Sequence, residues 1–342
     1  MELSTFKVSI PLKKKFTVAG GDASIKTNLL IVLNNRYPGE AAPSVQYGPS
    51  VDDLLVDIEK GLEVLRNLDT IDTDTLALVD GLQIDPTARA ALTGMVLNYI
   101  SGETRRYPWE VMSLSTPVGI KSSFTVAIAE TNEMIRDIKK SAYPIVKVKM
   151  GHEQDVMLLD ALSQIKDKEI RVDANGGWSC AKAEEMIHHL GECGVTVIEQ
   201  PTSIDFVKEW PHLKGKQEQV ELIIDEGLGS GEDYDQCREF VDGVNLKMEK
   251  CGGILKAMEL ARRAREDGKK IMLGCMVESS VGIAQSVYMS SLADYFDLDG
   301  PLLLEDDIAR GISFDMESIR VDREIIGGPK LKRDVVEKYI SR

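Results

Sequence analysis

The stretch YPIVKVKMG, residues 143–151, has the pattern of a buried strand, yet it carries two lysines, Lys147 and Lys149. Side chains in a strand alternate between its two faces, so these lysines point the same way. Burying an unpaired ammonium group costs free energy, so that face must hold a compensating group. The alternative is an edge strand with one solvated face, and the neighbouring segments decide between the two.

Short β-rich segments like this one recur from about residue 110 onwards. Helical stretches lie between them, such as ILKAMELARRARED, which is followed by a C-cap glycine, Gly268. Strands that alternate with helices feed a parallel sheet, and eight such units predict an α/β fold of the (β/α)8-barrel type. The eight predicted strands are VMSL near 111, IVKVKM at 145, IRVDA at 170, TVIEQ at 196, LIIDE at 222, VNLKM at 244, IMLGC at 271 and DYFDL at 294.

The first hundred residues predict a small α+β unit. TFKVSIPL and NLLIVLN are expected to be strands, and the loop between them, KKKFTVAGGDASIK, contains Gly20 and Gly21 and could act as a mobile lid. Residues 51–68 and the segment PTARAALTGMVLNYI predict helices, the second with Pro86 at its first position. The tail from about Gly311 returns to strand and helix patterns and is expected to pack on this unit.

Charged residues end the second to the sixth predicted barrel strands. In such barrels the loops that follow the strands gather at one mouth, where the chemistry takes place. Five consecutive charged ends therefore predict a functional site, and a barrel strand has no free edge that could solvate Lys147 and Lys149. The five residues are Lys149, Asp173, Glu199, Asp225 and Lys247.

The three carboxylates of this series, Asp173, Glu199 and Asp225, suit a metal ion. Hard oxygen ligands without histidine or cysteine favour Mg²⁺ or Mn²⁺ over zinc. Each carboxylate could instead cap the helix after its strand, but three at the same level favour the metal. Asn175 is expected to support this site from one layer further out, or to serve the turn that follows Asp173.

Lys149 and Lys247 are predicted to lie on opposite sides of the mouth. A divalent cation and a neighbouring ammonium group both favour neutral lysine, which a general base requires, so we expect Lys147 to lower the pKa of Lys149 and to contact a substrate carboxylate. One lysine can remove a proton next to a carboxylate while the other returns it on the opposite face. With a metal that stabilises the enolate, this pattern predicts racemisation or epimerisation.

Composition restricts the partners and the compartment. The formal net charge is −15 and the pI is about 4.9, which argues against nucleic acid or an anionic membrane surface as a partner. Five scattered cysteines without CxxC spacing predict reduced thiols in a cytoplasmic protein. No 18-residue apolar run and no signal-like N-terminus occur in the sequence.

Several motifs in order resemble those of enolase-superfamily enzymes of the muconate-lactonising subgroup. They are VKVKMG, VDANGGWS, VIEQP, IIDEGL and NLKMEKCGG, and the resemblance covers nearly the whole chain. It implies that Lys149 and Lys247 are the acid/base pair, and that one Mg²⁺ per subunit binds the three carboxylates. It also implies a capping domain at 1–110, a catalytic barrel at 111–310 and a C-terminal segment at 311–342 that returns to the cap. We further expect a homo-oligomer.

Within that subgroup, FDLDGP resembles the signature of dipeptide epimerases, such as those acting on L-Ala-D/L-Glu. The resemblance implies that Asp297 and Asp299 bind the α-ammonium group of a dipeptide substrate. GCMVESS, with Glu278, resembles the seventh-strand motif and implies a further substrate contact. The segment TVAGGDASIK has glycines where enzymes specific for a C-terminal Glu commonly carry an arginine, so a smaller or apolar C-terminal residue is equally consistent.

Other functions remain open on the same residues. An o-succinylbenzoate synthase or a muconate cycloisomerase would use the same lysines and metal, but neither substrate carries an ammonium group for Asp297 and Asp299. A non-catalytic metal-binding scaffold would have no need for both lysines. An aldolase with a lysine Schiff base would need one isolated lysine, not two across a metal.

Overall fold

A computed structural model describes residues 1–18, 21–44, 48–215, 217–316 and 318–340. Within those ranges no helix combines the length and the apolar character needed to cross a bilayer. All five cysteines are free thiols.

The N-terminal sheet is an antiparallel meander of β1 (Leu3–Val18), β2 (Gly21–Leu33) and β3 (Tyr37–Ala41). The first two strands form one long hairpin, paired from Leu3 with Leu33 to Val18 with Gly21. The predicted loop at residues 13–26 is therefore wrong over most of its length. Its lysine run lies on β1, an edge strand, where charged side chains can face water and resemble a loop in sequence. Gly20, central to the proposed lid, lies outside the described residues.

Three helices follow the sheet: α1 (Val51–Arg66), α2 (Thr73–Asp80) and α3 (Pro86–Thr104). Ser50 starts α1 with a capping box, in which its hydroxyl accepts from the Asp53 N–H and the Asp53 carboxylate accepts from the Ser50 N–H. Pro86 occupies the first position of α3, as predicted. The sequence analysis did not identify α2.

Eight parallel strands form the central sheet, and each pairs with the next along the chain. The Ser123 N–H donates to the Phe296 carbonyl at 3.0 Å, which brings the last strand against the start of the first and closes the ring. The predicted α/β fold with a (β/α)8-type barrel is confirmed. The strands are β4 (Phe124–Val126), β5 (Ile145–Lys149), β6 (Glu169–Asp173), β7 (Val197–Glu199), β8 (Glu221–Ile224), β9 (Gly243–Lys247), β10 (Lys270–Gly274) and β11 (Tyr295–Asp297).

The first barrel strand is not the predicted VMSL segment near 111. Pro108 instead begins a short helix, α4 (Pro108–Val111), in which the Glu110 carboxylate accepts from the Tyr107 N–H at 2.9 Å. The strand that opens the barrel is β4, thirteen or more residues further on, and it is only three residues long. A strand this short gives almost no periodic signal in the sequence.

Helices connect the strands on the outside of the barrel. Gly268, which follows the long helix Ile254–Glu266, has a φ of +72°, as its C-cap position predicts. The helices are α5 (Thr131–Lys140), α6 (Leu159–Ser163), α7 (Cys180–Glu192), α8 (Trp210–Lys214), α9 (Gly231–Cys237), α10 (Met248–Cys251), α11 (Ile254–Glu266), α12 (Ala284–Tyr288) and α13 (Gly300–Leu303). Short 3₁₀ turns occupy Glu153–Leu158, Ile204–Glu209 and Ser290–Leu292.

The C-terminal segment contacts the N-terminal sheet. It contains β12 (Ala309–Arg310), β13 (Ile312–Phe314), β14 (Ile319–Val321), a 3₁₀ turn (Arg323–Ile325), β15 (Lys330–Leu331) and α14 (Arg333–Tyr339). Val336 and Tyr339 of α14 pack with Val8 and Ile10 of β1 in one apolar cluster. Segments from both ends of the chain thus pack together at the N-terminal sheet. The exact domain boundaries remain predictions.

Candidate active site

Lys147 lies in the barrel interior among carboxylates. Its strand β5 is flanked by β4 and β6, so the alternative of a solvated edge is excluded. The side chain is 2% exposed, and its Nζ lies 2.6 Å from Asp297 Oδ2, 2.8 Å from Glu199 Oε2 and 2.9 Å from Asp173 Oδ2. Burial alone would lower the pKa of Lys147, but Asp173, Asp297 and Glu199 together raise it well above its usual value. Lys147 is therefore held as a buried cation.

Lys149 and Lys247 end β5 and β9, which are four steps apart in the eight-stranded ring. The two lysines therefore stand on opposite sides of the mouth. Lys149 Nζ donates to Asp173 Oδ2 at 2.6 Å, and Lys247 Nζ donates to Asp225 Oδ2 at 2.7 Å. Each thus contacts one of the carboxylates predicted to bind metal.

Asp173, Glu199 and Asp225 end or directly follow three consecutive strands, β6, β7 and β8, and all three are buried. Burial alone would raise the pKa of Asp173, but Lys147 and Lys149 hold it well below its usual range. Burial would likewise raise the pKa of Asp225, but the ammonium groups of Lys247 and Lys250 outweigh burial and lower this pKa. Glu199 differs, because burial and the negative charge of Asp173 raise its pKa to about 8.

This donor set fits a hard divalent cation. Its oxygens belong to carboxylates only, and among the described residues Glu199 Oε2 has no hydrogen-bond partner, although the Lys147 ammonium group is close. The carboxylates contact lysine ammonium groups rather than one another. A different group of potential ligands lies closer together in the described ranges. It is partly exposed on α7, and its ligand atoms all lie within 4.8 Å of one another; its members are His188, His189 and Glu192.

Three further side chains hold the carboxylates in place. Asn245 Nδ2 donates to Glu199 Oε1 at 2.9 Å, Gln200 Oε1 accepts from the Asp225 N–H at 2.8 Å, and Lys250 donates to Asp225 Oδ1. None of the three is among the site residues predicted from the sequence. Asn245 could have been found, because it precedes Lys247 by two residues and shares its strand face; Gln200 and Lys250 show no such pattern.

Asn175 supports the site and also forms the turn, so both expectations for it describe its geometry. Its N–H donates to Asp173 Oδ1 at 2.9 Å, and its side-chain Nδ2 donates to Glu226 Oε1 at 2.9 Å. Its φ of +44° lies in the left-handed region, which asparagine tolerates better than most residues. The turn thereby links Asp173 to the residue after Asp225.

Asp297 and Asp299 both lie where β11 meets β4, but their surroundings differ. Asp297 Oδ2 pairs with Lys147 and its Oδ1 accepts from Ser123 Oγ at 2.6 Å. Burial would raise the pKa of Asp297, but Lys147 outweighs it and lowers the pKa. Asp299 Oδ2 accepts from the Thr125 N–H at 2.6 Å, and burial followed by the charge of Asp297 raises its pKa to about 7.

Glu278 lies away from the three carboxylates, in a second buried group that we call the cap–barrel cluster. The cluster consists of Lys26 on β2, Glu40 on β3, Glu249 on α10 and Glu278 after β10. Glu40 joins the two parts, because its carboxylate accepts from Asn28 Nδ2 at 2.7 Å and from the Gly282 N–H at 2.9 Å. Burial, and next the charge of Glu40, raise the pKa of Glu278 to about 8.

Comparisons with known proteins identify a family and similar sequences. Residues 128–311 match the family described as enolase C-terminal domain-like. An L-Ala-D/L-amino acid epimerase of Pedosphaera parvula is 32% identical, over 80% of this chain and 81% of its own length. An enzyme of the same description from a Maribacter species is 28% identical, over 91% of this chain and 94% of its own.

A solved structure extends the likeness to the whole fold. The dipeptide epimerase from Cytophaga hutchinsonii, complexed with Mg and D-Ala-L-Val, superposes with a TM-score of 0.88 at 22% identity and covers 98% of this chain and 97% of its own. Because the sequence relatives are epimerases, the prediction of an isomerase is confirmed. The resemblance found in five ordered motifs is confirmed as well, and the chain belongs to the enolase C-terminal domain-like family.

Proposed function

We propose that this protein is a Mg²⁺-dependent dipeptide epimerase that removes and returns the proton α to the C-terminal carboxylate. The observation that carries the proposal is the position of Lys149 and Lys247, on opposite sides of a mouth whose intervening strands end in three buried carboxylates. The named activities of the relatives from Pedosphaera parvula and Maribacter support the choice of a dipeptide.

The two lysines divide the work between the two faces of the substrate. With the α-carbon between them, one Nζ accepts the proton from one face, and the other, protonated, delivers a proton to the opposite face. Each lysine alternates between base and acid according to which epimer binds. A divalent cation held by Asp173, Glu199 and Asp225 would supply Lewis-acid stabilisation of the negative charge that develops on the substrate carboxylate.

Lys147 and the carboxylates near β11 fix the ends of the substrate. The buried Lys147 cation places a permanent positive charge beside the carboxylate position, two residues from Lys149 on the same strand face. Asp297 and Asp299 place negative charge on the β11 side, where the α-ammonium group of a dipeptide would lie.

The experiment that tests this function is a dipeptide library incubated with the Mg²⁺-loaded enzyme in D₂O. We expect a one-dalton gain by mass spectrometry for the dipeptides that are substrates, because the returned proton comes from solvent through a lysine. The double variant Lys149→Ala with Lys247→Ala is the matched control and should incorporate no deuterium. A folded enzyme that labels no dipeptide, but converts muconate or an o-succinylbenzoate precursor, would contradict the proposal.

A further inference from the structure

A cavity of about 350 Å³ lies between the capping elements and the barrel mouth. Its described wall includes residues 48–49 and 85–87 on the cap side, and residues 226–229, 249–250 and Met276 on the barrel side. Lys250 in this wall donates to Asp225, and Glu226 follows Asp225 directly. The cavity therefore adjoins the proposed catalytic centre, and its volume is in the range of small-molecule pockets.

The chemistry of the proposed reaction directs one part of the substrate toward this cavity. When the α-proton leaves, the other three substituents of the α-carbon lie in one plane, and the proton moves perpendicular to it, toward Lys149 or Lys247. The carboxylate points to β6–β8, and the amide nitrogen leads toward Asp297 on β11. The third substituent is the side chain of the C-terminal residue, and it therefore points toward the cap.

The cavity wall carries carboxyl groups without a matching cation. Glu226 and Glu249 both line it, and each has one carboxylate oxygen, Oε2, without a hydrogen-bond partner in the described part of the chain. Glu249 is 3% exposed and its carboxyl group contacts that of Glu278, whose Oε2 is also unpartnered among the described residues. Burial and the charge of Glu278 raise the pKa of Glu249 well above its usual value, as expected where negative charge is not compensated.

Two lysines are close, but both are already engaged. Lys250 donates to the backbone carbonyl and the carboxylate of Asp225. Lys26 is 4% exposed and donates to the Pro43 carbonyl, and its single charge faces Glu40, Glu249 and Glu278. Three carboxylates against one ammonium group leave room for a further positive charge.

We propose that this cavity is the subsite for the C-terminal side chain of the substrate, and that it selects a cationic side chain of the lysine or arginine class. The proposal rests on the dipeptide epimerase function. The ammonium or guanidinium group would bond to the carboxyl groups of Glu226 and Glu249, while Leu228 and Met276 in the same wall would contact the aliphatic stem. A glutamate side chain would add a further carboxyl group to a wall that already lacks a compensating cation.

The test compares L-Ala-L-Lys with L-Ala-L-norleucine, which has the same aliphatic chain without the ammonium group, and with L-Ala-L-Glu. We expect kcat/KM for the lysine dipeptide to exceed that for the norleucine dipeptide at least about tenfold, the size of one charge-assisted hydrogen bond. Glu249→Gln should reduce that ratio to within about threefold of unity and leave the norleucine dipeptide within about threefold of its original kcat/KM. Glu184→Gln, an exposed glutamate on α7, removes the same charge elsewhere and should leave the ratio unchanged.

The wild-type ratio decides the proposal even if the Glu249 variant does not fold. Equal turnover of the lysine and norleucine dipeptides, or faster turnover of the glutamate dipeptide, overturns the cationic subsite and leaves the epimerase function standing. If the folded, Mg²⁺-loaded enzyme epimerises none of the three and labels no other dipeptide in D₂O, both proposals fail. A ratio that persists in Glu249→Gln assigns the selectivity to other residues and overturns the role given to this cavity wall.

Discussion

Two groups of buried carboxylates in this molecule show opposite electrostatic behaviour. At the strand ends, lysine ammonium groups contact Asp173 and Asp225 and lower the pKa of both. In the cap–barrel cluster, burial raises the pKa of Glu278 to about 8 and lowers the pKa of Lys26 to about 8. Both groups are buried, so the difference comes from the charges next to each carboxylate.

At the strand ends lysines already compensate carboxylates, whereas the cap–barrel cluster has room for a further cation. Four lysines, Lys147, Lys149, Lys247 and Lys250, contact the strand-end carboxylates and keep Asp173 and Asp225 ionised. Glu199 is the exception, because burial and the charge of Asp173 raise its pKa to about 8. The cap–barrel cluster has one lysine for three carboxyl groups and holds protons at neutral pH. Burial alone therefore does not set the charge of a carboxylate; the balance of neighbouring cations and anions does.

Removing the metal should produce the largest effect, because it takes away the cation that the strand-end carboxylates are proposed to hold. Exhaustive treatment with EDTA should lower kcat/KM by at least about 10²- to 10³-fold, and added Mg²⁺ should restore it. Asp225→Asn should be similarly inactive yet folded by circular dichroism. Full activity after chelation would mean that the strand-end carboxylates serve their lysines and no metal.

A change of substrate and a variant of Asp297 test whether an ionised carboxylate also acts on the β11 side of the barrel mouth. N-acetylation of a dipeptide substrate should lower kcat/KM about 10- to 100-fold, because it removes a charge-assisted contact of about 1.5–3 kcal/mol. Asp297→Asn should weaken turnover of free dipeptides more than that of N-acetylated ones, and Asp52→Asn on the protein surface is the control. Equal turnover of free and N-acetylated dipeptides by the unmodified enzyme would exclude the ammonium role and favour the synthase and cycloisomerase alternatives again.

Glu278 should give the smallest effect, one on stability. Its pKa in the fold is raised above the usual value, so its protonated form stabilises the fold below about pH 4.5, and this contribution is lost as the pH rises toward 8. Glu278→Gln stays neutral, so its free energy of unfolding should rise relative to the unmodified protein between pH 5 and 8, by up to about 1.4 kcal/mol per pH unit.

Urea unfolding at pH 5, 6.5 and 8 measures this difference, with Glu184→Gln as the control that should follow the unmodified protein. The groups that face Glu278 are Glu40, Glu249 and Lys26, and their own titration contributes to both curves. Parallel pH dependence of Glu278→Gln and the unmodified protein would show that the cap–barrel cluster is compensated after all, and would remove the contrast between the two regions.

The same two regions mark how far the sequence could predict the site. The strand-end residues were predictable, because alternation along a strand and the gathering of strand ends at one mouth are local rules. The partnership of Lys26 and Glu40 with Glu249 and Glu278 was not, because it depends on how the cap sits on the barrel. Glu40 contacts Ser279, which is 239 residues away along the chain, and no sequence period reports such a contact.

Local rules also failed where a strand was too short or too polar. β4 has three residues, and its place was given to a segment that forms the short helix α4 and the turn after it. The lysines at 13–15 suggested a loop, but they extend an edge strand whose side chains can face water. In both cases tertiary pairing, rather than intrinsic propensity, determined the structure.

In the proposed mechanism, Lys149 and Lys247 serve opposite faces of one α-carbon. The most direct measurement follows deuterium from D₂O into each pure epimer of a substrate dipeptide with Lys149→Ala and with Lys247→Ala. We expect that neither variant epimerises, that each still exchanges the α-proton of one epimer, and that the two variants exchange opposite epimers. Normal epimerisation by either variant, or exchange of the same epimer by both, would contradict it.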